Sequence, residues 1–267
     1  MELFSLSGKV AIVTGACGLL GKKHCEALAQ AGASVVVADL DRELSTILAN
    51  SLPDNHMGVA LDVTNQYSIK EAKELVLEKY GSIDVLVNNA AINDMFENPQ
   101  LKEEQSRFEN YPLTMWRQAL DVNVTGVFLC SQIIGSVLAE QAKGSIINIA
   151  STYGVTAPDQ TLYKDEDGLQ TFYKSAAYPT TKGAVISFTR FLSAYWGNKG
   201  VRVNSLSPGG VQNGQDEYFI NKYSQRTPLG RMAKDSDYQG ALIFLASDAS
   251  SYMTGANLVV DGGWTII

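Results

Sequence analysis

The chain has 267 residues, of which 45% are hydrophobic and 18% charged, and carries a formal net charge of -7. This length and composition suit one large domain with a substantial core, and the acidic balance without a basic block argues against nucleic acid or an anionic membrane as partner. With only His24 and His56, a histidine-built metal site or a Ser-His-Asp triad is not expected, and a small-molecule substrate is the remaining partner class.

Lys9-Val10-Ala11-Ile12-Val13-Thr14 is a short β-rich apolar run that stops at Gly15 and predicts the first strand. A helix follows over about 19–31 and ends at Gly32, a natural helix terminator. Ser34 to Ala38 repeats the buried-strand pattern, closed by Asp39, and Arg42 reads as a solvated helix-start residue. The alternation continues with strand 57–61, helix 66–80, strand 83–87, a broken or bent helix 113–142, strand 145–149, helix 178–197, strand 201–206, helix 236–247 and strand 257–260. Strands apolar on both faces, alternating with helices, predict a parallel sheet of about seven strands covered on each side. The fold class expected is α/β, a single doubly wound Rossmann-type domain over 1–267. Three stretches break the rhythm, 92–112, 152–177 and 209–233, and each follows the C-terminal end of a strand, where such sheets bind ligands.

Thr14-Gly15-Ala16-Cys17-Gly18-Leu19-Leu20-Gly21 joins the first strand to the first helix. Glycines there let the backbone approach a pyrophosphate, whose charge is favoured by the N–H groups and dipole of the helix start. The spacing is Gly-x-x-Gly-x-x-Gly rather than the commoner Gly-x-Gly-x-x-Gly, and on its own it also describes an ordinary tight turn. Asp39 adds a carboxylate at the end of the second strand, suited to hydrogen-bond the adenosine ribose hydroxyls and to repel a 2′-phosphate, so NAD is expected over NADP.

Tyr178 and Lys182 are four residues apart in Tyr178-Pro179-Thr180-Thr181-Lys182, so on a helix they share a face. A cation beside a phenol lowers its pKa, and a phenol tuned this way exchanges a proton with an alcohol or carbonyl oxygen. The pairs Tyr195/Lys199 and Tyr218/Lys222 have the same spacing, so spacing does not choose among the three. Met1-Glu2-Leu3-Phe4-Ser5 lacks the basic start and apolar stretch of a signal peptide, and no run approaches the ~20 apolar residues of a membrane span. The scattered, odd-numbered Cys17, Cys25 and Cys130 suggest reduced thiols and a cytoplasmic location.

Four further segments join those above: Asn88-Asn89-Ala90-Ala91 after the fourth strand, Asn123 in Asp121-Val122-Asn123-Val124, Ser151 after Asn148-Ile149-Ala150, and Pro208-Gly209-Gly210 after the sixth strand. With Thr14–Gly21, Asp62-Val63 and Tyr178/Lys182, the ordered set resembles the short-chain dehydrogenase/reductase family from Gly8 to Gly263, including Tyr252-Met253-Thr254-Gly255 and Val260-Asp261-Gly262-Gly263. The order selects Tyr178 and leaves Tyr195 and Tyr218 as helix-surface residues. The resemblance implies that Tyr178 is the acid/base, Lys182 its tuning cation and a donor to the nicotinamide ribose, Ser151 the holder of the substrate oxygen, and Asn123 the anchor of a proton-relaying water. It also implies cofactor contacts from Gly15, Gly18, Leu20 and Gly21, from Asp62 and Val63 to adenine, from Asn89 and Ala90 behind the ribose and nicotinamide, and from Pro208 and Val211. A homo-oligomer, a tetramer as in much of the family, is implied as well. The chain departs from the family pattern in four places. Gly18 comes one residue early, Ala91 replaces a glycine, Asn213 stands where a threonine is common, and the interval from Ser151 to Tyr178 is unusually long.

The activity expected is NAD-dependent interconversion of a secondary alcohol and a ketone on a polar small molecule. Gln212, Asn213, Gln215, Asp216 and Glu217, together with Asp165-Glu166-Asp167, suggest hydrogen bonding to a hydroxyl-rich, sugar-derived compound. The same acids would repel an acidic carrier or coenzyme A, which weighs against the runner-up, 3-oxoacyl thioester reduction. A non-catalytic NAD-binding sensor or scaffold is the rival of another class, and the intact Asn123/Ser151/Tyr178/Lys182 set argues against it. Insertion 155–177, with Tyr163, Phe172 and Tyr173 to pack, is expected to overhang the site together with a lid over 209–230. The long apolar helices and the apolar end (Trp264, Ile266, Ile267) are expected to supply subunit contacts.

Overall fold

Seven parallel strands form the centre of the fold in the order β3-β2-β1-β4-β5-β6-β7. The computed structural model describes residues 2–93 and 103–267. The strands are β1 (Val10–Thr14), β2 (Ser34–Asp39), β3 (Met57–Ala60), β4 (Val85–Asn88), β5 (Gly144–Ile149), β6 (Val201–Pro208) and β7 (Asn257–Val260). Every residue of β1 is buried because the strand is covered on both faces. Val10 and Ile12 point into one core while Ala11 and Val13 point into the other, as the period of two requires.

The first core packs the sheet against α3 (Gln66–Tyr80), α4 (Leu113–Glu140) and α5 (Ala177–Trp196), through residues such as Ile69, Ile134 and Leu192. The second packs it against α1 (Leu19–Gln30), α2 (Arg42–Ser51) and α7 (Gln239–Ala246), through Leu28, Ala49 and Leu242. A further helix, α6 (Glu217–Gln225), stands over the C-terminal end of the sheet.

Helices α2 and α6 were not separated out by periodicity. Helix α2 is started by Asp41, whose carboxylate accepts from the N–H groups of Glu43 and Leu44, and α6 by Asp216, which accepts from Phe219. The stretch 209–233 therefore holds a capped helix rather than irregular chain throughout. Helix α4 is interrupted by a π-helical turn over Asp121–Thr125, which is the break expected within 113–142. Its length and composition would let it cross a bilayer, contrary to the expectation that no such run exists, but 61% of its most apolar window is buried inside the protein. Its hydropathy is that of a core helix.

Candidate active site

The strand order reverses between β1 and β4, and the loops after these strands open a crevice at the C-terminal edge of the sheet. Gly15 has φ +60, and a Cβ there would lie 2.7 Å from the Cα of Ala90. A Cβ on Gly21 would overlap the carbonyl oxygen of Gly15. Both glycines are required by close backbone approach. Gly18 is different, since nothing crowds it; it is the N-cap of α1, and no side chain there closes the helix N–H groups. Those open donors, at the positive end of the helix, can receive a phosphate.

Asn89 braces the turn by donating from Nδ2 to the carbonyls of Thr14 and Gly15, both at 2.9 Å. The hydroxyl of Thr14 accepts from the backbone N–H groups of Asn89 and Ala90. Asp39 takes the N–H of Cys17 on one carboxylate oxygen and that of Leu40 on the other, each at 2.8 Å, which ties the end of β2 to the glycine turn. A cavity of about 660 Å³ collects Gly15, Gly18, Leu20, Gly21, Asp39, Asp62, Val63, Asn89 and Ala90 along one wall. The uncapped helix start and the cradle that any Cβ would fill suit a dinucleotide.

A second cavity of about 310 Å³ shares Leu19, Leu20, Asn89 and Ala91 with the first and continues past them to Ser151, Tyr178, Lys182, Pro208 and Val211. Ser151 lies two residues past the end of β5 and caps a single 3₁₀ turn, Thr152–Gly154. A Cβ on Gly154 would lie 2.7 Å from the backbone of Lys182, so this turn is pressed directly against α5. That approach brings Ser151 to the helix that carries Tyr178 and Lys182.

Burial pushes the Tyr178 phenol up to about 12, against the lowering effect of its hydrogen bond with Ser151, and Tyr153 adds a smaller upward push. The tuning expected from Lys182 is not what this arrangement produces. Lys182, 3% exposed, donates from Nζ to the carbonyl of Ile149 at 2.7 Å and stands 5.6 Å from the centre of the Tyr178 ring. Burial pulls its own pKa down to about 8. The strand carbonyl holds the ammonium beneath the tyrosine rather than against its oxygen.

Asn123 lies in the π turn of α4 and does not line either cavity. Its Oδ1 accepts from the N–H of Ile92 at 2.8 Å, while Nδ2 donates to the Ile92 carbonyl at 3.0 Å and to the Thr181 hydroxyl at 3.1 Å. It thus clamps the loop after β4 to the residue preceding Lys182. Tyr195 is exposed and Tyr218 half-exposed, and neither lines the cavity, in agreement with the choice of Tyr178. Among the described residues no group of histidines, cysteines and carboxylates could hold a metal. His24, fully buried in α1, is kept neutral by desolvation, with its pKa down at about 4.

The insertion supplies walls that the motifs do not mention. Tyr163 lines the cavity and packs on Phe172 at 5.7 Å and on Phe219 of α6 at 5.8 Å between ring centres. Arg226, just past α6, pairs with Asp159, and Lys222 donates to the carbonyls of Thr161 and Lys164. Tyr223 stacks on Trp264 at 4.1 Å, so that the chain end braces α6. Asp165-Glu166-Asp167 instead forms a turn that does not line the cavity, with Asp165 accepting from the N–H groups of Asp167 and Leu169. The acidic segment therefore does not bear on the substrate, contrary to the expectation from its charge. Lys174 and Tyr153, also in the wall, were missed; the one available signal was that Lys174 precedes Tyr178 by the same four residues that separate Tyr178 from Lys182.

The family model described as Enoyl-(Acyl carrier protein) reductase matches residues 15–265. The chain belongs to the short-chain dehydrogenase/reductase family. It is 34% identical to D-threitol dehydrogenase of Mycolicibacterium smegmatis over 98% of this chain and 95% of that protein. It is also 34% identical to the 3-oxoacyl-(acyl-carrier-protein) reductase FabG of Thermotoga maritima, over 98% of this chain and 99% of that one. The crystal structure of a gluconate 5-dehydrogenase from Burkholderia cenocepacia in complex with NADP and tartrate superimposes with a TM-score of 0.85 at 29% identity, covering 100% of this chain and 98% of the other. As a short-chain dehydrogenase/reductase, the chain is an oxidoreductase of the alcohol and ketone type.

Proposed function

We propose that this short-chain dehydrogenase/reductase is a cytoplasmic, NAD-preferring enzyme that interconverts a secondary alcohol and a ketone on a hydroxyl-rich, sugar-derived small molecule. The observation that carries the reading is the meeting of Ser151, Tyr178 and Lys182 in one cavity that runs into the glycine-turn crevice. When bound, the nicotinamide supplies or takes up the electron pair that separates alcohol from ketone.

The residues of the chain handle the oxygen and its proton. Ser151 donates to the substrate oxygen and fixes it beside the phenol of Tyr178. In reduction Tyr178 gives its proton to that oxygen, and in oxidation the phenolate takes the proton back. Lys182, held beneath the ring, serves as a donor to the nicotinamide ribose, and Asn123 positions it through Thr181. The insertion 155–177 and the segment 209–230 close over the substrate as a joint lid, since Tyr163, Phe219 and Tyr223 share the cavity wall.

The preference for NAD rests on Asp39, whose carboxylate lines the crevice and would repel a 2′-phosphate. The hydroxyl-rich substrate rests on the amide side chains of Asn93, Asn213 and Gln215 in the cavity wall and on the relatives that are named for threitol and gluconate. The relative named for 3-oxoacyl reduction keeps one second reading open, reduction of a 3-oxoacyl thioester.

A panel of polyols, aldoses, keto acids and acetoacetyl-CoA, read by nicotinamide absorbance with NAD(H) and NADP(H), tests these points. Turnover of a polyol or sugar with higher kcat/KM for NAD is expected, with the gap narrowed in Asp39→Ala. Higher kcat/KM for NADP would refute the cofactor assignment, and turnover of acetoacetyl-CoA alone would establish the second reading. Tight NADH binding without turnover of any member would favour the scaffold.

A further inference from the structure

Among the described residues, the tyrosines that line the substrate cavity are Tyr153, Tyr163, Tyr178 and Tyr223. Tyr178 handles the reacting oxygen in the reading above, and the hydroxyl of Tyr223 accepts from the N–H of Gly210 at 2.6 Å. The other two face each other, with their hydroxyl oxygens 3.4 Å apart. Among the described residues neither of these hydroxyls has another hydrogen-bond partner. Burial raises the pKa of both phenols, so each keeps its proton at neutral pH.

The pair is held from both sides. Tyr153 lies in the 3₁₀ turn that Ser151 caps, and its N–H donates to the Ser151 hydroxyl at 3.2 Å. Tyr163 ends the 3₁₀ turn Gln160–Tyr163, which Asp159 caps by accepting from the N–H of Thr161. The ring of Tyr163 is fixed by Phe172 of the insertion and Phe219 of α6. Two phenols carry two protons, and the bond between them uses one. The second proton is left for an acceptor in the cavity, and the lone pairs of the pair can still accept. A hydroxyl group is both acceptor and donor, so it can take the spare proton and return its own, closing a cycle of three hydrogen bonds. A buried donor left without an acceptor costs free energy, which turns this pairing into selectivity.

We infer that Tyr153 and Tyr163 form a specificity subsite for a second hydroxyl of the substrate, on the carbon next to the reacting one, so that the enzyme interconverts a vicinal diol and an α-hydroxy ketone. The placement follows from Ser151, which takes the N–H of Tyr153 on the same oxygen that meets the reacting group. In oxidation the reacting carbon gives its hydrogen with the electron pair to the nicotinamide cofactor and its hydroxyl proton to the Tyr178 phenolate, while the neighbouring hydroxyl keeps all its bonds. This rests on the alcohol and ketone reading above and narrows it.

Four probes on one carbon skeleton test the assignment: cyclohexanol, trans-1,2-cyclohexanediol, 1,3-cyclohexanediol and trans-2-methoxycyclohexanol. Oxidation with NAD gives kcat/KM. Calorimetry on the full-length protein saturated with NADH, with which an alcohol does not react, gives binding that does not depend on turnover. In each protein the 1,2-diol is read as a ratio to cyclohexanol. A ratio of about 10 is expected in the parent and one near ~1 in Tyr153→Phe and in Tyr163→Phe, with no further fall in the double variant, because loss of either phenol opens the cycle. The methyl ether, which accepts but cannot donate, should rank with cyclohexanol, as should the 1,3-diol. The two tyrosines lie on different elements, so one variant stays readable if thermal melts show the other unfolded. No binding of the 1,2-diol, equal ratios in parent and variants, an equal gain for the ether, or a preference for the 1,3-diol would each overturn the assignment. Tighter binding of the 1,2-diol that is lost in both variants, without turnover of any probe, would instead refute the broader reading and leave the pair as a hydroxyl-binding subsite.

Discussion

At the scale of single residues, Tyr178 is governed by burial more than by its neighbouring cation. Its phenol is pushed up to about 12, while Lys182, pulled down to about 8, spends its nearest hydrogen bond on a strand carbonyl. The consequence for the reaction has a definite sign. Reduction uses the protonated phenol, which is the dominant form across the neutral range, so its rate should be level with pH there. Oxidation needs the phenolate, so kcat/KM for the alcohol should rise with pH by about tenfold per unit while pH stays below the phenol pKa. A level oxidation profile across neutrality would mean that positive charge overrides burial in the working complex. Tyr178→Phe keeps the ring but removes the transferable proton, so turnover should fall at least ~10²–10⁴-fold while NADH binding, read by fluorescence, stays close to that of the parent. Tyr178 was distinguished from Tyr195 and Tyr218 by motif order alone, and the exposed ring of Tyr195 and the location of Tyr218 outside the cavity agree with that choice. Lys174 could not be singled out in the same way, because its place in the cavity wall depends on a loop path that no periodicity records.

At the scale of elements, the insertion and α6 behave as one unit. Tyr163 bridges them through Phe172 and Phe219, Lys222 and Arg226 reach back to the insertion, and Trp264 supports Tyr223 from below. The aromatic residues foreseen to pack do so: Tyr173 donates its N–H to Ser106 and its ring lies under Arg107 at 5.7 Å. Shortening 159–172 to a brief linker removes Tyr163 and the Asp159 partner of Arg226, so it should alter KM or substrate preference. NADH affinity should be unchanged, because the glycine turn and Asp39 lie on other elements. Kinetics on the true substrate identical to those of the parent would show that the insertion takes no part in the site. The strands and long helices were legible because each buries a repeating apolar face. Helices α2 and α6 were less so, since they are short, half-solvated and defined mainly by their aspartate caps.

At the scale of the whole molecule, the outer face of α4 and α5 leaves Phe128, Phe191 and Tyr195 exposed, with Phe188, Phe191 and Tyr195 stacked in a row. Ile266 and Ile267 are also exposed, whereas Trp264, expected to contribute surface, is buried against α6. Apolar area of this kind is ordinarily covered by a second copy of the chain, and a homotetramer is the assembly we expect. Light scattering at micromolar concentration should therefore give a multiple of 28.9 kDa, and Phe191→Ser with Tyr195→Ser should lower it. A mass near 28.9 kDa for the parent protein would rule the oligomer out.

The sequence by itself determined the order of the strands and of the long helices, the parallel sheet and the glycine turn with Asp39, because each is encoded in local apolar periodicity or in a short motif, and the order of motifs singled out Tyr178 as the expected acid/base. It also supplied Ser151, Asn123 and Lys182 as a set, through their order along the chain. Only the tertiary structure decided how these residues act on one another. It turned Lys182 toward Ile149, made Asn123 a clamp between Ile92 and Thr181, sent the acidic turn 165–167 away from the cavity and brought Lys174 into it. The reason is physical: hydrogen-bond partners, burial and the sign of a cavity are set by which distant segments meet, and that information resides in packing rather than in any one stretch of chain.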